Sequence, residues 1–108
     1  IGLLSIDDYS TKYIHMNIII KSLDDPSISV KFAALSHLSI KDTVIYNKLI
    51  QMLHAENNQP SLLIAILKAL QAYTIEEKDI DKIVELLTHS NSTVRITALH
   101  TLKGKKDM

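Results

Sequence analysis

The chain repeats itself at a fixed spacing. The segment Val30-Lys31-Phe32-Ala33-Ala34-Leu35-Ser36-His37-Leu38 is followed 32 residues later by Leu62-Leu63-Ile64-Ala65-Ile66-Leu67-Lys68-Ala69-Leu70, and after another 32 by Val94-Arg95-Ile96-Thr97-Ala98-Leu99-His100-Thr101-Leu102. Apolar residues coincide in three columns of every copy: Val30, Leu62 and Val94; Leu35, Leu67 and Leu99; Leu38, Leu70 and Leu102. A constant period of this size marks supersecondary units that cannot bury an apolar face alone and do so by stacking on one another.

Each copy is preceded by a second apolar segment with helical spacing: residues 17–23, 47–53 and 81–87. Before each of these a hydroxyl residue stands three positions ahead of a carboxylate, at Ser5 and Asp8, Ser39 and Asp42, and Thr74 and Glu77, as in a helix capping box. Two glycines and two prolines in the whole chain suit helices joined by short turns. Pro26 and Pro60 both fall between helix-period segments, and proline suits a first helical position because its missing N–H would have no partner there. The pattern predicts helices over about 8–23, 28–38, 41–54, 60–73, 76–89 and 92–103, paired into hairpins over about 5–38, 39–73 and 74–103. All 108 residues are taken as one domain, read as a fragment of a longer chain because the sequence opens abruptly at Ile1.

Several function classes lack their parts. Twelve basic and twelve acidic residues cancel, so the footprint of a nucleic-acid binder is missing. No apolar run approaches the roughly 20 residues needed to cross a bilayer, so no membrane insertion is expected. With no cysteine there can be no thiolate metal site or cysteine nucleophile, while the compartment stays open, the cytoplasm being slightly favoured. Glycines only at 2 and 104 leave no phosphate-binding loop. The five histidines form no i, i+4 pair, and His54 and His89 fall near predicted helix C-termini, where they complement the dipole. No metal or cofactor is expected. Glu76, Glu77, Asp79 and Asp81 lie in the first turns of a predicted helix, a placement that stabilises negative charge without any catalytic role.

The stretch Leu23-Asp24-Asp25-Pro26-Ser27-Ile28-Ser29-Val30-Lys31-Phe32-Ala33-Ala34-Leu35 resembles the HEAT repeat, in which Asp-Pro and then Val-Arg-x-x-Ala open the second helix. Residues 87–99 are similar without the Asp-Pro pair, and the middle copy departs further, with Leu63 at the basic position and Ile66 at the small one. The resemblance implies an all-α fold: a right-handed α-α superhelix, or α-solenoid, of three HEAT-like hairpins. It also implies a ladder between the turn aspartate and the basic residue. Asp25, Lys31 and Arg95 match that pattern, whereas Leu63 and His89 do not, so the ladder would be broken at the centre.

HEAT-like second helices line a concave surface, and the resemblance therefore places Ser36, His37, Lys68, Thr97 and His100 on a strip facing a groove. The expected function is a non-catalytic protein-binding scaffold or regulatory module, with an unidentified protein partner. Uncapped apolar ends of such an array add possible self-association. The rival readings are a HEAT-like enzyme or enzyme subunit, akin to bilin lyases or DNA glycosylases, and a soluble module attached to a transporter or large enzyme.

Overall fold

A computed structural model of the chain describes residues 14–38, 41–55 and 59–103. It is all-α, with six helices: α1 over residues 14–23, α2 Ile28–Ser36, α3 Thr43–Ala55, α4 Pro60–Leu70, α5 Glu77–Glu85 and α6 Ser92–Lys103. A single 3-10 turn, Leu86–Thr88, extends α5. The helices fall into two units, Ile1–Ile40 and Lys41–Met108.

The first unit holds α1 and α2. Ile19 and Leu23 of α1 and Ala34 and Leu35 of α2 are its buried apolar residues. Between the helices, Asp25 Oδ1 accepts the Ser27 N–H at 2.8 Å, and Ser27 Oγ caps α2 by accepting the Val30 N–H at 3.4 Å. The cap at Ser27 means that α2 begins after Pro26 and not on it. The helix stops at Ser36, whose hydroxyl donates to the Ala33 carbonyl at 2.9 Å, two residues short of the predicted end.

The second unit is built from two consecutive hairpins, α3–α4 and α5–α6. Helix α4 packs against both α3 and α6, which explains its composition: Leu62, Leu63, Ile66, Leu67 and Leu70 are all fully buried. Pro60 occupies its first turn as expected from the missing proline N–H. Ile45, Leu49 and Leu53 of α3 close one side of this core, and Ile75, Ile83, Leu86, Val94 and Ala98 close the other. The starts of the first helices differ from a capping box. Asp42 Oδ1 accepts the Val44 N–H at 2.8 Å at the start of α3, and α5 begins after Glu76 without a side-chain cap, so Thr74 does not serve as one. Ser5 and Ser39 lie outside the described residues.

Helix α6 carries the main departure from the 32-residue alignment. Its buried face is Val94, Thr97, Ala98 and Thr101, while Leu99 is 51% exposed. Leu35 and Leu67, its counterparts in the column, are buried as expected. The cause is the number of neighbours: α4 has helices on both sides, whereas among the described residues α6 packs only on α4, α5 and the 3-10 turn. Two threonines stand on its inner face without leaving a polar atom unpaired. Thr97 Oγ1 donates to the Thr93 carbonyl at 2.7 Å, and Thr101 Oγ1 lies 2.9 Å from the Thr97 carbonyl and 3.1 Å from that of Leu67 across the hairpin boundary.

Candidate functional site

The five strip residues divide between the two units. In the second, Lys68 on α4 and His100 on α6 are both exposed, 32 residues apart in sequence and on helices packed side by side. Helices α4 and α6 together contain Lys68, Arg95, His100 and Lys103 and no aspartate or glutamate. Ile96 and Leu99, 54% and 51% exposed, stand among these cations on α6. Thr97 is not on that surface: it is buried, with its hydroxyl committed to Thr93. The alignment equates it with Ala65, which is half-buried, so this column faces inward rather than toward solvent.

Ser36 and His37 belong to the first unit and are exposed. His37 lines one end of a groove of about 400 Å³, with His15 at the other end and Ile18, Ile19, Val30, Ala33 and Ala34 between them. The groove is almost wholly aliphatic, with Ser22 and Ser29 its other polar residues.

Arg95, the basic residue of the third copy, acts within its own hairpin. Its Nη1 donates to the carbonyls of His89 at 2.7 Å and Ser90 at 3.2 Å, and so fastens the turn before α6 to the first turn of that helix. Asn91 completes this turn by capping α6, its Oδ1 accepting the Val94 N–H at 3.1 Å.

The densest polar cluster is one that the sequence pattern did not single out. The Tyr46 hydroxyl, on the buried face of α3, donates to Asp79 Oδ2 on α5 at 2.6 Å and accepts the Glu76 N–H at 3.0 Å. The Tyr73 hydroxyl accepts the Asp42 N–H at 3.3 Å, and the two tyrosine rings pack with centroids 5.5 Å apart, tilted by 50°. Asp79 is therefore not simply a dipole-compensating charge in the first turn of α5. It is 7% exposed, and the tyrosine hydroxyl is what makes that burial tolerable. A signal for it does exist in the sequence. Ile75, Asp79 and Ile83 recur at four-residue steps, so the aspartate shares a face with two core isoleucines and needs a donor there. Beside this cluster a cleft of about 340 Å³ is lined by Lys41, Asp42, Thr43, Tyr46, Tyr73 and Glu76.

Burial, and next the hydrogen bond to the Asp79 carboxylate, push the Tyr46 hydroxyl up to about 12. The folded chain thus holds this proton more tightly than the unfolded one, where the group ionises near 10. The resulting stabilisation is complete below about pH 10 and is lost as pH rises through about 12. Urea midpoints measured across that range should fall more steeply for the native sequence than for Tyr46→Phe; parallel curves would contradict the link.

Among the described residues no helix is long and apolar enough to cross a membrane, and no three His, Asp or Glu side chains converge as a metal site would require. No protein-family model matches the chain, and comparison with curated proteins and with solved structures finds no match to either.

Proposed function

We propose that the chain is a non-catalytic binding module built of HEAT-like hairpins in α-solenoid order, and that its α4–α6 surface receives an acidic segment of a protein partner. The observation that carries this reading is the pairing of Lys68 and His100. Equivalent positions of successive copies are exposed side by side on two helices that contain cations and no acids, with Ile96 next to them. An acidic amphipathic peptide would satisfy both parts of such a surface, its carboxylates meeting the cations and its aliphatic residues covering Ile96. Support for the solenoid order comes from the second unit, where the α3–α4 hairpin is followed by α5–α6 packed on it through α4 and α6.

The test is fluorescence anisotropy with matched acidic and basic amphipathic peptides. The acidic peptide is expected to bind, more weakly as salt is raised, and the double variant Lys68→Glu, His100→Glu should weaken it by about tenfold or more with helicity unchanged. Equal binding of both peptides, or no effect of the double variant, removes the assignment.

A further inference from the structure

The α5–α6 hairpin has an outward face whose two halves are opposite in charge. On a wheel of 3.6 residues per turn, the exposed arc of α6 holds Arg95, Leu99 and Lys103, one turn apart, on the side away from buried Val94, Thr97 and Thr101. The exposed arc of α5 holds Glu77, Asp81, Glu85 and the 45%-exposed Val84, together with one cation, Lys78. The remaining cation of α5, Lys82, is engaged by Glu85 at 3.1 Å.

We infer that this face pairs with the same face of a second copy about a twofold axis running along the helices, so that α5 of each chain lies antiparallel on α6 of the other. Such an isologous contact uses every residue twice. With Val84 of one copy set over Leu99 of the other, Asp81 lies about 4.5 Å along the axis on the side where Lys103 lies about 6 Å away. On the opposite side Glu85 approaches Arg95. The alternative twofold, with its axis across the helices, would put α5 on α5 and α6 on α6, bringing like charges together. Charge therefore selects one of the two arrangements, and the aliphatic centre of Val84 and Leu99 is covered in it. The face spans only two short helices, which places the dimer among small, exchanging interfaces rather than obligate ones. The inference does not depend on the peptide-binding strip, because Lys68 and His100 take no part in it.

The experiment is sedimentation equilibrium of the 108-residue chain over a concentration series, with circular dichroism as the check on helicity. The native sequence should show a monomer–dimer equilibrium that weakens with added salt. Asp81→Lys and Lys103→Asp, each at an exposed position, should separately weaken the dimer by about tenfold or more. An equimolar mixture of the two variants should recover it, because the heterodimer again sets opposite charges across both symmetry-related contacts. If either variant loses helicity, Asp81→Asn and Lys103→Gln serve in its place and should each reduce both the association and its salt dependence. A native chain that stays monomeric at its solubility limit overturns the inference, as do growth beyond dimers and a variant mixture that fails to associate.

Discussion

Leu67→Ala is expected to lower the unfolding free energy by about 2–5 kcal/mol, and Leu99→Ala to change it by less than about 0.5 kcal/mol. The two leucines occupy the same column of the repeat, 32 residues apart, and differ only in their neighbours. Leu67 is fully buried on α4, where α3 and α6 both pack, and truncating it removes apolar contact and leaves a cavity that surrounding leucines cannot fill. Leu99 is half-exposed on α6, so its methyl groups are already wet in the folded chain. Urea denaturation at low protein concentration, where association does not contribute, reads both values. Losses of equal size would mean that the outer side of α6 is covered, in contradiction of the packing described.

Tyr46→Phe is the second large effect, an expected loss of about 2–3 kcal/mol. The ring stays and its contact with Tyr73 survives, so the loss isolates the hydroxyl. Without it the buried Asp79 carboxylate has no donor at 2.6 Å, and the Glu76 N–H loses its acceptor. Asp79→Asn keeps an oxygen to accept from Tyr46 and removes the buried charge, so its effect should be smaller, about 1 kcal/mol. A double-mutant cycle between the two positions should give a coupling above about 1 kcal/mol. Additive losses would show that the two groups do not depend on each other.

How much of this was legible beforehand differs from residue to residue. Periodicity located the helices well, since α3, α4 and α6 each lie within about three residues of the expected ends. It misjudged the end of α5, where Leu86–Thr88 tightens into a 3-10 turn, a local choice that apolar spacing does not encode. Equivalence by 32 residues identified Leu35 and Leu67 as core residues and failed at Leu99. A repeat states which residues correspond, and burial depends on whether a neighbouring helix is there to cover them. Thr97 was taken for a surface residue because it is polar. On α6 its hydroxyl is satisfied by the carbonyl four residues back, which lets a threonine sit in a core at little cost. The Tyr46–Asp79 bond joins residues 33 apart and could be read only as a question, posed by an acid in phase with Ile75 and Ile83.

For the candidate site, sequence spacing alone brought Lys68 and His100 to matching positions on adjacent helices, because both sit on the outer arc at the same phase of their copies. It could not place Ser36 and His37 beside them, since these belong to the other unit and line a groove with His15 and Ile18. The charge asymmetry between α5 and α6 was visible as composition, but its exposure was not, because exposure follows from packing against α3 and α4.

The account rests on the second unit being two copies of one hairpin in register, and a single contact reports that register. Thr101 Oγ1 meets the Leu67 carbonyl at 3.1 Å, although the repeat assigns these residues to different columns. A nuclear Overhauser experiment on isotope-labelled chain, with Leu67 and Thr101 assigned, should show cross-peaks between the Thr101 methyl and the Leu67 protons. If Thr101 instead shows cross-peaks only within α6 and α5, helix α6 does not lie on α4 and the stacked-hairpin account is wrong.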